Sequence, residues 1–267
     1  MRSIKKVAFA VAILTACAAG PKARYTLKRP DPPQRSTVDL RLVLNIPASR
    51  IDVYEHGKRT KTYEVSAGAR EFSTPPGKYR VSQITWNPWW HPPKSEWARN
   101  EKPTPPGLNN PMGRVKLNFA SLLYIHGTPW VDDLGTPASH GCIRMRDRDL
   151  IELTRIIHKY RTPRVQDRLV AQLEKSPTMT RSFHIKPVPF EVAYRLVEVR
   201  DDKLIIHPDV YRRADEDLRP QLVAVLKQQG VNVTPAVEEQ LSAISRKRNA
   251  TRLTVDLDSL VNAVVGD

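Results

Sequence analysis

Cysteine is scarce in this sequence, which has only Cys17 and Cys142 among 267 residues. Neither belongs to a C-x-x-C pair, and the chain also lacks the H-E-x-x-H motif of many zinc enzymes. A zinc site formed by His126, His140 and Cys142 is chemically reasonable, but no motif supports it, so we predict no metal. Glycine is also scarce, at 11 residues, whereas proline is frequent, at 23.

Acidic residues are outnumbered by basic ones. Lys and Arg total 43 against 28 Asp and Glu, which gives a formal net charge of +15. Such a surplus suits a polyanionic partner or surface, although a solvated basic surface without a specific partner is equally consistent with it. Because the chain has no zinc-finger spacing, basic zipper or RNP-like aromatic motif, we predict no nucleic-acid partner.

A long apolar run is missing as well, since the N-terminal stretch Val7–Leu14 is too short to span a bilayer. Basic residues precede it and small residues follow it, which is typical of a secretory signal peptide over residues 1–17. The letters LTAC at positions 14–17 resemble a bacterial lipobox and predict that Cys17 carries a lipid. Cleavage after Ala18 is the alternative. Ala18 after a lipidated cysteine suggests, by resemblance to enterobacterial sorting signals, the outer membrane.

This reading makes Cys142 unusual. Whether Cys17 is lipidated or removed, Cys142 has no partner for an intramolecular disulfide. It is then a lone thiol in an exported, oxidising compartment, where an unpaired thiol is a liability unless it is used. We therefore expect a periplasmic, outer-membrane-anchored lipoprotein of a Gram-negative bacterium whose chemistry involves Cys142.

The rest of the chain divides by composition. Residues 18–37 are basic and Pro-rich and predict an extended tether. Residues 38–213 alternate apolar and polar positions over several short runs, which predicts a mainly β domain. Residues 214–267 predict a helical C-terminal extension of unknown role. Within the β domain, residues 117–125 predict one buried strand and residues 146–160 a helix with Asp147 as its N-cap.

The segment 86–113 is too rich in proline for a helix or an interior strand. It holds four of the five tryptophans. A structureless surface loop does not need so many large apolar side chains, so we expect this segment to pack on the domain as a lid.

Cys142 lies on a predicted loop between the apolar strand and the helix. A cysteine nucleophile needs a base or a positive neighbour, because the thiolate is the reactive form. His126 and His140 are both candidates for the base. Gly141 allows a substrate carbonyl to approach the backbone, and the N–H groups of Gly141 and Cys142 could line an oxyanion hole. Arg144 suits either a substrate carboxylate or a structural ion pair.

These residues form a recognisable signature. His126-Gly127-Thr128 followed by Ser139-His140-Gly141-Cys142-Ile143-Arg144 resembles the L,D-transpeptidase catalytic domain of the YkuD family, in its ErfK/YbiS/YcfS/YnhG-like branch. Three further blocks of that family are matched in order, by TPPGKY at 74–79, NPMG at 110–113 and IHPDVY at 206–211. The sequence departs from the family in a slightly short spacer after His126 and in Arg144, where many members have Asn.

The resemblance implies a mainly β fold, an L,D-transpeptidase-type β-sandwich or barrel with a Pro/Trp-rich lid and appended helices. It implies Cys142 as nucleophile, His126 as base and the Gly127 carbonyl as the group that orients His126. His140 joins this catalytic set by shaping the pocket, and Ser139, Gly141 and Arg144 are the expected substrate-binding residues. No cofactor is implied.

The implied reaction is a two-step acyl transfer on peptidoglycan stem peptides. Cys142 would attack a tetrapeptide stem, release the terminal D-Ala and pass the acyl group to an amine. That amine belongs to a neighbouring stem or to a wall-attached lipoprotein. With the same site, the alternative enzyme is an L,D-carboxypeptidase, endopeptidase or amidase. The non-enzymatic alternative is a lipid-anchored peptidoglycan-binding module without turnover.

Overall fold

The computed structural model describes residues 40–162, 165, 167–213, 217–246 and 251–262. The predicted signal peptide, lipobox Cys17 and tether lie outside the described residues, as does the predicted first strand residue Val38. In the described part of the chain, no helix is long and apolar enough to cross a membrane.

A closed barrel of eight strands forms the N-terminal part, in the order β1-β2-β3-β7-β6-β5-β4-β8. This architecture confirms the mainly β prediction. The strands are β1 (Leu40–Asn45), β2 (Arg50–Glu55), β3 (Lys58–Ser66), β4 (Gly77–Trp86), β5 (Val115–Ala120), β6 (Leu123–Thr128), β7 (Ile143–Arg146) and β8 (Arg181–Ala193).

The barrel interior takes every second side chain of these strands. In β5 the sequence VKLNFA places Val115, Leu117 and Phe119 inside and leaves Lys116 and Asn118 on the outer face. Because Ile125 and Ile143 point inward on the two neighbouring strands, the residues next to them point outward. The polar side chains of β5, β6 and β7 are thereby gathered on one outer face.

Two helices cover the barrel. They are α1 (Asp147–Arg161) and α2 (Asp167–Lys175). Leu150, Leu153 and Ile157 of α1 are fully buried, as the helical spacing predicts. The N-cap prediction is wrong, because Arg146 occupies that position. Asp147 instead accepts a hydrogen bond from the Arg114 backbone N–H at 2.8 Å.

The predicted strand at 117–125 is in fact a hairpin of β5 and β6. Leu122 adopts a positive φ of 59° at its tip, in the left-handed region that non-glycine residues rarely occupy. No Gly or Pro marks this turn in the sequence. The correction matters for the site, because the hairpin tip lies beside Cys142.

A second unit follows the barrel and has its own apolar cluster, which starts at Leu196. The second unit includes β9 and β10, which the sequence analysis assigned to the β domain of residues 38–213. In the structure, the second unit therefore begins before residue 213. A strand, β11, also stands where only helices were expected. The elements are β9 (Val197–Arg200), β10 (Lys203–Ile206), α3 (Arg219–Gln228), α4 (Pro235–Arg246), β11 (Leu253–Asp256) and α5 (Leu257–Asn262).

Candidate active site

Three strands supply the side chains of the candidate site. β6 pairs antiparallel with β5, where His126 is opposite Lys116, and parallel with β7, where His126 is opposite Arg144. Lys116, His126 and Arg144 therefore form a row across the outer face of the barrel. Cys142 comes directly before β7, two residues from Arg144, and so lies on the same face and diagonally across from His126.

Cys142 is a free, partly buried thiol held at the tip of the β5–β6 hairpin. Its Sγ lies 3.6 Å from the carbonyl oxygen of Leu122, to which the thiol donates. Burial raises the pKa of the Cys142 thiol. The Tyr124 backbone N–H and the positive charges of Arg144 and Lys116 oppose this shift by favouring the thiolate. The resting sulfur is therefore a thiol with three groups ready to stabilise its anion.

His126 is buried, with 6% of its surface exposed. Its Nδ1 lies 2.7 Å from the carbonyl oxygen of Gly127. A carbonyl can only accept, so Nδ1 carries the proton and Nε2 of the neutral ring is left as an acceptor. Burial lowers the pKa of His126 to about 4, and the charges of Arg144 and Lys116 act in the same direction. The imidazole is thus neutral at physiological pH and able to take a proton.

The loop before the thiol is fixed by its own hydrogen bonds. The Ser139 hydroxyl donates to the Cys142 carbonyl and accepts from the Gly141 N–H at 3.1 Å. This overturns the expectation that the Gly141 N–H lines an oxyanion hole, because that donor is already engaged. Ser139 is buried, at 2% exposure. Ser139 and Gly141 were expected to bind substrate. In the structure they shape the loop instead, because the Ser139 hydroxyl and the Gly141 N–H are already engaged in hydrogen bonds within it.

A relay of buried groups holds this loop from the opposite side. Thr74 donates its hydroxyl to the Gly141 carbonyl at 2.9 Å and accepts the Gly68 N–H at 2.9 Å. The Tyr211 hydroxyl donates to the Gly68 carbonyl at 2.8 Å and accepts the Thr74 N–H at 3.2 Å. The TPPGKY and IHPDVY blocks of the sequence thus meet behind the residue that precedes Cys142.

His140 connects the loop to the Pro/Trp-rich segment. Its exposed ring stacks on Trp97, with ring centroids 4.0 Å apart and an interplanar angle of 12°. Phe72 contacts the same ring, at 4.7 Å between centroids. The segment therefore reaches the site as a lid through Trp97, whereas Trp86 is buried at the end of β4 and Trp89 is 48% exposed. The place of His140 is at the pocket wall.

Arg144 is engaged by the spacer between the two sequence motifs. Its Nη1 lies 3.0 Å from an Asp133 carboxylate oxygen, and its guanidinium carbon lies 5.9 Å from the Trp130 ring centre. Of the two roles considered for Arg144, the ion pair is present in the structure. It ties the spacer to the strand that follows Cys142.

Several site residues were missed in the sequence. Lys116 was hidden in an ordinary strand pattern, although the alternation VKLNFA already placed it on the polar face. Thr74 and Tyr211 were noted only as members of family blocks. Their role depends on side-chain contacts between segments 137 residues apart, which no local pattern indicates.

The described residues contain no group of three His, Cys, Asp or Glu side chains placed to hold a metal ion. His126 uses one ring nitrogen for Gly127, as described above. The chemistry available to this arrangement is that of a thiol beside a neutral imidazole, with two cations next to both.

Comparisons with known proteins find related sequences and structures. The family model of the L,D-transpeptidase catalytic domain, YkuD, matches residues 39–167. YcfS of Escherichia coli is 34% identical over 134 residues, which cover 45% of this chain and 40% of that protein. YkuD of Bacillus licheniformis is 29% identical over 122 residues, covering 45% and 62%. Both relatives carry L,D-transpeptidase in their names, and this chain spans less than two thirds of each.

Solved structures of similar fold include an L,D-transpeptidase from Mycobacterium tuberculosis, 17% identical, with a TM-score of 0.37 over 58% of this chain and 57% of that chain. Another is the catalytic domain of the E. faecium L,D-transpeptidase, 15% identical, with a TM-score of 0.39 over 59% and 99%.

Proposed function

We propose that the protein is a peptidoglycan L,D-transpeptidase with Cys142 as its nucleophile, because the model of the YkuD L,D-transpeptidase catalytic domain matches residues 39–167. The observation that carries the proposal is the row of side chains across β5, β6 and β7. In this row the neutral His126 lies between the cations Lys116 and Arg144, on the same face of the barrel as Cys142. The substrate class, a tetrapeptide stem with a terminal D-Ala, comes from the family resemblance.

In the first half-reaction, Sγ of Cys142 attacks the carbonyl carbon at the L-centre of the stem diamino acid. A C–S bond forms, and the C–N bond to D-Ala breaks. The thiol proton passes to Nε2 of His126 and then to the leaving amine, so that a thioester and free D-Ala result. The Gly127 carbonyl keeps Nε2 available by holding the proton on Nδ1.

In the second half-reaction, an acceptor amine attacks the thioester. The new amide bond forms, the C–S bond breaks, and His126 returns the amine proton to Cys142. The acceptor is the amine of a neighbouring stem, which gives a 3-3 crosslink, or a lysine of a wall-attached lipoprotein. Water in the same position gives carboxypeptidase activity, which makes product analysis part of the test.

The electrostatics of the site favour base-assisted attack over a preformed ion pair. Burial raises the pKa of Cys142 and lowers that of His126 to about 4, so both groups are neutral before substrate binds. As the thiol proton moves to His126, negative charge develops on the sulfur, and Lys116 and Arg144 can stabilise this charge. General-base assistance of this kind contributes about 10²–10⁴-fold in rate.

We further propose that Cys17 is lipidated and anchors the catalytic domain to the outer membrane from the periplasm. The support is the signal-peptide pattern of residues 1–17 and the LTAC letters that end it. Mass spectrometry of the mature protein purified from a Gram-negative host tests this. A diacylglyceryl mass on Cys17 is expected, and an unmodified N-terminus after Ala18 would contradict it.

The central experiment incubates the purified chain with tetrapeptide muropeptides and identifies products by mass spectrometry. We expect D-Ala release and a crosslinked dimer, no transfer by Cys142→Ala, and at least about a hundredfold loss in His126→Gln. His184→Gln is the matched control, because His184 is exposed on β8 away from the site.

Two results would contradict the proposal. Full transfer by a folded Cys142→Ala protein would exclude the nucleophile. D-Ala release without any crosslinked product, even with excess acceptor amine, would identify a carboxypeptidase.

A further inference from the structure

Lys116 is a half-buried cation beside Cys142 whose role toward the substrate is left open by the proposed function. It lies opposite His126 in the β5–β6 register and points to the face that bears Cys142. Its Nζ lies 4.7 Å from the centre of the Tyr124 ring, which fixes the side chain over β6. Burial lowers the pKa of Lys116, and the charge of a Cys142 thiolate would raise it. The two groups are therefore close enough to interact electrostatically.

The two cations of the row differ in their partners. Arg144 is paired with Asp133. Lys116 has no carboxylate within ion-pair distance among the residues that the structure describes. A partly desolvated ammonium without a counter-ion is costly, and a bound anion would relieve that cost. The molecule thus presents an unpaired cation next to its nucleophile.

Asn118 adds a second unsatisfied group on the same face of β5. Its Oδ1 is buried and has no hydrogen-bond partner within the described ranges. An amide oxygen accepts only N–H or O–H donors. Lys116 and Asn118, two residues apart on one strand, therefore offer one positive donor and one acceptor, which fits a peptide that presents a carboxylate and a backbone N–H.

We propose that Lys116 is a specificity-determining residue that binds a carboxylate of the donor stem peptide near the scissile carbonyl, with Asn118 Oδ1 accepting an N–H of the same peptide. This rests on the proposed function. The ammonium selects donors whose carboxylate is free over donors in which it is a primary amide, because the amide carries no charge to pair with Nζ.

The test compares two synthetic tetrapeptide donors, one with free side-chain carboxylates and one with the corresponding carboxamides. The wild-type chain should prefer the carboxylate donor by about tenfold or more in kcat/KM, with the difference mainly in KM. Lys116→Met should abolish the preference, and Lys116→Arg should retain most of it. Lys78→Met is the matched control, since Lys78 is exposed on β4.

Two results would overturn the inference. A folded Lys116→Met chain that keeps the wild-type preference would show that the carboxylate binds elsewhere. An equal loss of rate for both donors, with the pH profile of Cys142 alkylation displaced to higher pH, would show that Lys116 acts only on the thiol.

Binding separates this inference from the proposed function. Titration of both donors into Cys142→Ala protein, followed by calorimetry, should show tighter binding of the carboxylate donor, and this difference should vanish in Cys142→Ala/Lys116→Met. If the Cys142→Ala variants show this Lys116-dependent binding but the wild-type chain transfers nothing, the inference is supported and the proposed transferase function is overturned. If both donors bind equally well but the wild-type chain transfers actively, the proposed function is supported and the inference is overturned.

Discussion

Gly127 serves two neighbours of the site at once. Its carbonyl oxygen accepts a hydrogen bond from the Nδ1–H of His126, and its missing side chain leaves room for the Asp147 carboxylate. A Cβ at this position would lie 1.8 Å from Asp147 Oδ1. Gly113 is confined in the same way, because its Cβ would lie 2.5 Å from the Gly127 backbone and its φ is +60°. The HGT and NPMG blocks are thus a single packing unit.

We predict that Gly127→Ala destabilises the chain by about 1–3 kcal/mol, the usual cost of overpacking. Gly107→Ala is the control, because a Cβ there meets nothing within 4 Å; its effect should stay within about 0.5 kcal/mol. Urea denaturation of both variants measures the difference. Equal stability of the two variants would mean that Asp147 moves aside without cost.

The elements around Cys142 are coupled by the Tyr211 hydroxyl. Tyr211 comes after β10 in the chain, yet it reaches the Gly68 carbonyl and the Thr74 N–H on the far side of the loop. Thr74 in turn holds the Gly141 carbonyl. The chain after the barrel therefore takes part in positioning the loop before Cys142, through a buried tyrosine.

We predict that Tyr211→Phe lowers the transfer rate about tenfold or more, because the loop before Cys142 loses one of its supports and small displacements of a nucleophile are costly. It should also cost about 1–3 kcal/mol of stability, since two buried backbone groups lose a partner. Assays well below the unfolding temperature separate the two effects. Tyr79→Phe, which removes an exposed hydroxyl bond to the Pro75 carbonyl, should retain the wild-type rate.

Local signals predicted some elements and missed others for identifiable reasons. Helix α1 follows from apolar spacing, and strands β1 to β4 follow from alternation and turn residues. The β5–β6 turn was missed because Leu122 takes a left-handed conformation that only its tertiary setting enforces. In β8, Pro187 and Pro189 argue against a strand in the sequence. They are tolerated because β1 pairs with β8 only from Phe190 onward, which leaves one side of the earlier residues unpaired.

At the candidate site, the sequence motif predicts Cys142, His126 and Gly127 as catalytic residues. It could not supply the state of each group. The engagement of the Gly141 N–H by Ser139 and the pairing of Arg144 with Asp133 depend on contacts made after folding. Lys116 gains its meaning only from the strand order, which places β5 beside β6 and β7.

At the scale of the whole molecule, an ion-pair network joins the barrel to the second unit. Arg50 and Asp52 of β2 meet Glu198 and Arg200 of β9, with Arg50 Nη2 to Glu198 Oε2 at 2.6 Å and Arg200 Nη1 to Asp52 Oδ1 at 2.9 Å. Although burial opposes it, hydrogen bonds from His207 and Arg50 lower the pKa of Glu198 to about 2. The network is therefore a charge-dependent contact between the two units.

Acid should destabilise the molecule in two stages. Burial lowers the pKa of both His126 and His158 from 6.5 to about 4. Between pH 6.5 and 4, the unfolded chain binds protons at these two histidines that the folded chain does not bind. The stability that the two neutral imidazoles contribute is therefore fully present above about pH 6.5 and falls as the pH drops toward 4. Glu198, whose pKa falls from 4.5 to about 2, contributes stability above pH 4.5 that is lost as the pH drops toward 2.

His158 allows the first stage to be tested away from the candidate active site. Its Nε2 accepts the Trp86 indole N–H at 3.1 Å, a bond that the neutral ring alone can make. Because His158→Gln removes one of the two imidazoles whose pKa is lowered to about 4, we predict that it roughly halves the fall in unfolding free energy between pH 6.5 and 4, even though its stability at pH 7 is lower. Urea denaturation across this range gives the slope, with exposed His184→Gln as the control. An unchanged slope in His158→Gln would mean that His158 takes up its proton in the folded chain over the same pH range as in the unfolded chain, with the Trp86 bond lost below about pH 6.5.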